Sequence, residues 1–115
     1  VLPVFTSCGL LTPRELEITD VEDATTLLNK IQSKEWSAFE VTVAYCKRSA
    51  IAQQLVNCVM DIDFEGGMKR AKELDEHLAS TGKVVGPLHG LPISLKVKKS
   101  YILVPLPEKA LIHFY

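Results

Sequence analysis

The sequence has little sulfur to build with: Cys8, Cys46 and Cys58 are odd in number, widely spaced and without a CxxC pair. That pattern argues against both a disulfide framework and a cysteine-based zinc site. It leads us to expect a reducing, cytoplasmic setting, with Cys46 and Cys58 as buried small hydrophobes and no defined role for Cys8. Long apolar runs are also missing, and none approaches the ~20 residues that a membrane-spanning helix needs. Neither sign of charge dominates, since 13 basic and 14 acidic residues are mixed along the chain for a net charge of −1. There is thus no electrostatic footprint for nucleic acid or an anionic membrane. No Ser-Ser pair, Gly-Gly-Ser loop or GxxxxGK[ST] phosphate loop occurs. His77, His89 and His113 lack ligand-spaced partners, so a metal is not expected. Residue 1 is Val and no secretory pattern follows it, so the chain is expected to start inside a longer protein.

What is present is one modest domain's worth of chain, 115 residues at 47% hydrophobic content. Residues 1–11 are apolar but interrupted by Pro3 and Gly9, which suggests an extended arm lying along a larger body. Thr12-Pro13-Arg14-Glu15 has capping-box order with proline at the first helical position, and predicts one short turn through Leu16. Asp20 is then expected to cap a helix over 21–33, in which Ala24, Leu27, Leu28 and Ile31 recur on one face.

Ser37-Ala38-Phe39-Glu40 is a second capping box, with Trp36 before it as a hydrophobic staple, and the helix it opens runs unbroken to about residue 56. Phe39, Val43, Cys46 and Ala50 make one stripe, yet Val41, Tyr45, Ile51, Ala52 and Leu55 fall off it; a helix apolar on several sides expects neighbours on several sides. After a stretch of weak strand character over 57–62, Asp63 is placed to cap a third helix over 64–80. Phe64, Met68, Ala71, Leu74 and Leu78 form its stripe and Gly82 its stop. Leu27, Leu28, Phe39, Val43, Leu74 and Leu78 are the expected mutual core.

The chemistry concentrates in GPLHGLPISLKV, residues 86–97. Gly86-Pro87 and Gly90-Leu91-Pro92 restrict the loop backbone, and 93–96 then has the apolar content of a buried strand ending on Lys96. A lysine drawn into an interior loses hydration, which lowers its pKa and makes a neutral amine available as a general base. Ser94 lies two residues earlier, on the same strand face, so a minimal Ser94/Lys96 dyad is conceivable beside the plainer reading of Ser94 as a packing or hydrogen-bonding residue. His89 is read as a loop hydrogen-bonding residue rather than a catalytic one.

GPLHGLPISLK resembles the lysine-bearing signature of the amidase signature family, and CGLLTPRELEITD with the helical pattern after it is similar to the N-terminal part of that family's fungal, acetamidase-like branch. The resemblance covers about residues 8–96. It implies an α/β fold class, here the N-terminal helical part plus the first strand of a mixed-sheet fold, incomplete. It also implies hydrolysis of small-molecule amides by a lysine, a bridging serine in a cis peptide and a nucleophilic serine, without a cofactor. Lys96 matches the catalytic lysine. Val97 stands where the family pattern has aspartate, and neither family serine has a counterpart. The expected division is therefore an N-terminal arm (1–11), a partial amidase signature domain (12–97) and a divergent tail (98–115) in which Pro105 and Pro107 oppose a central strand. Such a fragment should be inactive alone and prone to self-association through its exposed core. The alternative is a noncatalytic helical module that binds a partner, such as an intact amidase protomer, through that same face.

Overall fold

A computed structural model describes residues 2–59 and 62–94, with the side chains of Leu2 and of residues outside these ranges left aside. Five helices follow one another: α1 (Leu2–Ser7), α2 (Pro13–Thr19), α3 (Ala24–Gln32), α4 (Ala38–Val56) and α5 (Phe64–Thr81). Among the described residues there is no strand beyond an isolated β-bridge at Pro92. None of these helices is long and apolar enough to cross a membrane.

The two long helices begin and end near where their sequence signals lie. For α4, the Ser37 hydroxyl accepts from the Glu40 N–H at 3.0 Å. Asn57 closes it in the left-handed region (φ 48°), donating its N–H to the Gln53 carbonyl. Asp63 caps α5 through the Gly66 N–H, and Gly82 (φ 68°) ends it. At α2, Thr12 and Glu15 close a reciprocal capping box.

Three local expectations are corrected by packing. Residues 2–7 are helical rather than extended, because α1 can bury Phe5 against Leu11 and Ile51. The α2 helix continues to Thr19 rather than stopping at Leu16, since the extra turn carries Ile18 into the core at 0% exposure. Asp23, not Asp20, caps α3, accepting from the Thr25 and Thr26 N–H groups at 3.1 and 3.2 Å. Asp20 instead ends α2 and pairs with Arg48 of α4 at 2.7 Å.

The α4 helix lies at the centre, packed against α2 on one side and α5 on another. Its buried residues Ala38, Val41, Thr42, Ala44, Cys46 and Ile51 are distributed around the axis, as expected of a helix with several neighbours. The main core joins Ile18, Leu27, Ile31, Trp36, Val41 and Leu74 around the small residues Ala38, Ala44 and Ala71. Of the expected core residues, Leu27, Leu74 and Leu78 are buried, whereas Leu28, Phe39 and Val43 are half-buried. Close approach falls to alanines, which let the backbones come together.

One polar contact fixes this arrangement. The Asp75 carboxylate of α5 accepts from the first backbone N–H groups of α4, Ala38 at 2.7 Å and Phe39 at 2.9 Å. It thereby satisfies two donors that every helix start leaves open, and places negative charge at the positive end of the helix dipole. Removing it leaves both N–H groups part-buried without their acceptor, so Asp75→Ala is expected to lower unfolding stability by about 1–3 kcal/mol. Asp75→Asn, which turns an NH₂ toward one of those donors, is expected to recover only part of that loss in the same urea titration.

Candidate functional site

The loop that follows α5 is built from short-range hydrogen bonds. The His89 N–H donates to the Gly86 carbonyl at 3.2 Å and the Leu91 N–H to the Leu88 carbonyl at 3.0 Å, so two turns overlap. The Val85 N–H donates to His89 Nδ1 at 3.0 Å, closing the loop through a side chain. His89 is only 3% exposed, and its Nε2 has no partner among the described residues. Burial, opposed by Asp75 and reinforced by His77 and Arg70, holds the imidazole pKa below its ordinary value. A neutral ring accepting at Nδ1 must carry its proton on Nε2.

Gly90 carries the loop over the start of α4. Its φ of 78° is a left-handed conformation, and a Cβ there would lie 2.9 Å from the Ala38 Cβ and 3.4 Å from Ile31 Cγ2. Glycine is required on both counts. Leu91 packs against the main core, while Val85 and Leu88 point outward, 54% and 46% exposed. The same N-terminal segment of α4 that Asp75 caps is therefore also the seat of the loop.

The expected loop role of His89 is met by its bond from Val85. Ser94 is exposed and, like Ile93, is not part of a strand. Lys96, Val97, the end of the expected strand over 93–96 and the tail, with its Pro105, Pro107 and His113, lie outside the described residues. His77 is exposed on α5, its carbonyl accepting from the Ser80 and Thr81 hydroxyls. The Cys46 thiol is pushed up to about 11 by burial, as suits an inert core residue. Cys58, expected inside, is exposed, because it follows the left-handed end of α4.

Asp75 is the functional neighbour that sequence reading missed. It sits between Leu74 and Leu78 next to an apolar stripe, and that placement is the signal that could have marked it. A cleft of 210 Å³ lies beside it, lined by Ile31, Lys34, Trp36, Ser37, Asp75, Leu78 and Ala79. Both Asp75 oxygens are already engaged by α4, and no residue of the 83–94 loop lines this cleft. Replacing Gly90 by alanine is expected to cost about 1–3 kcal/mol through φ strain and the contact with Ala38, read as a lowered thermal midpoint.

Comparison with known proteins places this geometry. The sequence family Amidase matches residues 40–100, which include α4 from Glu40 onward, α5 and the whole loop. The chain is 48% identical over 93 residues to an amidase of Gibberella moniliformis, covering 81% of this chain and 18% of that protein. It is 49% identical over 88 residues to an acetamidase of Emericella nidulans, covering 76% of this chain and 16% of that one. Among solved structures, a fatty acid amide hydrolase superposes with a TM-score of 0.77 at 45% identity, over 83% of this chain and 16% of its own. The chain thus spans less than a fifth of the length of these relatives. With the match running through the helical layer and the glycine-seated loop alike, the chain belongs to the amidase family.

Proposed function

We propose that this chain is the N-terminal portion of an amidase that cleaves the carbon–nitrogen bond of small-molecule amides, with Lys96 as its general base. The observation that carries the proposal is the family match over 40–100, which extends through the loop to Lys96. Relatives named amidase, acetamidase and fatty acid amide hydrolase support the substrate class.

In this reading residues 12–97 are the partial domain, 1–11 its N-terminal arm and 98–115 a divergent tail. The stretch over 93–96 is the first strand of a mixed sheet completed by later sequence. Lys96, neutral in that interior, takes the proton of a bridging serine, which in turn takes the proton of the nucleophilic serine. The nucleophile adds to the amide carbonyl, the protonated amine leaves, and water releases the acid from the acyl-enzyme. Both serines would come from sequence outside this chain. The chain alone therefore lacks a nucleophile, and Lys96 has nothing to activate. Three free cysteines suit a reducing cytoplasm.

A second reading, a noncatalytic helical module that binds a partner such as an intact amidase protomer, is compatible with one observation that the fragment reading shares. Leu10, Leu55, Val56, Val85 and Leu88 are large apolar side chains left exposed.

Purified chain is expected to show no turnover of acetamide or aryl amides and no labelling by serine-directed acylating reagents. Stoichiometric labelling of Ser94 that disappears in Lys96→Ala would overturn this and establish the Ser94/Lys96 dyad. Exchanging the matching segment of the Emericella nidulans acetamidase for this one is expected to give a working enzyme. In that chimera Lys96→Ala should reduce kcat by about 10²–10⁴-fold; unchanged kcat would remove Lys96 from the mechanism.

A further inference from the structure

His89 has two nitrogens in unlike situations. Nδ1 accepts from the Val85 N–H, while Nε2, buried with less than a tenth of the side chain exposed, meets no acceptor among the described residues. Its ring bonds back onto the loop's own backbone, spanning Val85 to His89 across the Gly86 turn. Gly90, the next residue, seats against Ala38 and Ile31, so the ring's hydrogen bond and the contact between loop and helical layer are adjacent along the chain.

We infer that His89 is the positioning residue of this loop: as a neutral imidazole it latches Val85 and seats Gly90 on α4, and on protonation it releases both.

The chemistry of the bond requires this. Protonation puts a hydrogen on Nδ1, where the Val85 N–H already points, so an acceptor becomes a donor facing a donor. The charged ring is also buried without a counter-acceptor at Nε2 among the described residues, whereas water satisfies both nitrogens once the ring swings out. Among the described residues, the charged and titratable neighbours that act on the ring are on α5. Asp75 favours the proton but is committed to the Ala38 and Phe39 N–H groups, while His77 and Arg70 oppose it. From α3 and α4 the loop meets the apolar side chains of Ile31 and Ala38. Burial is the largest influence and favours the neutral form.

The sign follows. The folded chain takes up this proton at lower pH than the unfolded chain, whose histidine titrates near about 6.5. The latch therefore contributes in full above that value and is lost as pH falls from it toward the folded value. Lys96 lies seven positions after His89 in the sequence, so a loop that is no longer latched holds the chain leading to that lysine less firmly. That last link rests on the reading of Lys96 as the base; the latch itself does not.

The test uses the 115-residue chain and reads Val85 amide hydrogen exchange, corrected for intrinsic rates, between about pH 5 and pH 8. Wild type is expected to protect Val85 at pH 8 and to lose protection by up to about tenfold per pH unit below about 6.5. His89→Asn places an amide oxygen near the Nδ1 position and cannot be protonated, so it should restore protection and abolish the pH dependence. His89→Ala should leave Val85 unprotected throughout. Nitrogen NMR of His89 should report the Nε2–H tautomer at pH 8. A flat profile in wild type, an equal slope in His89→Asn or the Nδ1–H tautomer would overturn the inference. None of these outcomes depends on amide turnover, so failure of the latch and failure of the proposed reaction remain distinct.

Discussion

The carboxylate of Asp75 holds this structure's parts in register. Its two oxygens accept from the first N–H groups of α4, and it stands on α5 between core residues Leu74 and Leu78. A helix start is the one place on a helix where donors are guaranteed to be open, so a side chain from another helix can dock there with high directionality. The cap does more than satisfy donors. It sets the depth at which α5 meets α4, and with it the position of Ala38, the residue on which Gly90 rests. The order of dependence runs from cap to helix start to loop.

Around this contact the apolar core supplies the bulk of the stabilisation, and the outer ion pairs supply direction. Each fully buried side chain such as Ile18, Ile31 or Leu74 is worth about 1.5–3 kcal/mol. Arg14 with Glu40, Lys47 with Glu15, and Arg48 with Asp20 all join α2 to α4. Such partly exposed pairs contribute about 0–1 kcal/mol each, but three along one seam select the register in which Ile18 meets the core. Burial disfavours the Glu15 carboxylate, yet the Lys47 ammonium and the Thr12 donors outweigh it and keep its pKa below the ordinary value. Arg48 also stacks over the Phe5 ring at 4.5 Å, which ties α1 into the same seam.

The loop joins this scaffold to the chemistry proposed for the family. Its backbone is held by two turns, a histidine latch and a glycine seat, all within the sequence that matches the family. If Lys96 acts as the proposed base, a tightly held loop before it has a use, because misplacement of a reacting group by about 1 Å costs a large part of a catalytic advantage. Val85 and Leu88 remain exposed on the outer side, next to the buried ring.

Much of the helical layer was legible in the residues themselves. Ser37 and Asp63 are strong caps, Gly82 a strong stop, 38–56 runs without a breaker and 64–80 carries a clear apolar stripe; the observed helices Ala38–Val56 and Phe64–Thr81 reflect that local origin. The role of His89 within its loop was legible through the family resemblance, which places the reaction on lysine and serines and leaves the histidine to hydrogen-bond within the loop. What was not legible depended on contacts distant in sequence. The segment over 2–7 has no helix signal strong enough to stand alone, and is helical because Phe5 finds Leu11 and Ile51. Asp20 and Asp23 are equivalent as caps on paper, and Arg48, 28 positions beyond Asp20, draws the first away. Asp75 carries no cap or stop signal of its own, and only folding brings it to the start of α4. Caps, stops and periodicity are set by neighbours along the chain and can be read from it; the choice among equivalent polar groups is made by whichever partner the folded chain brings within hydrogen-bond reach.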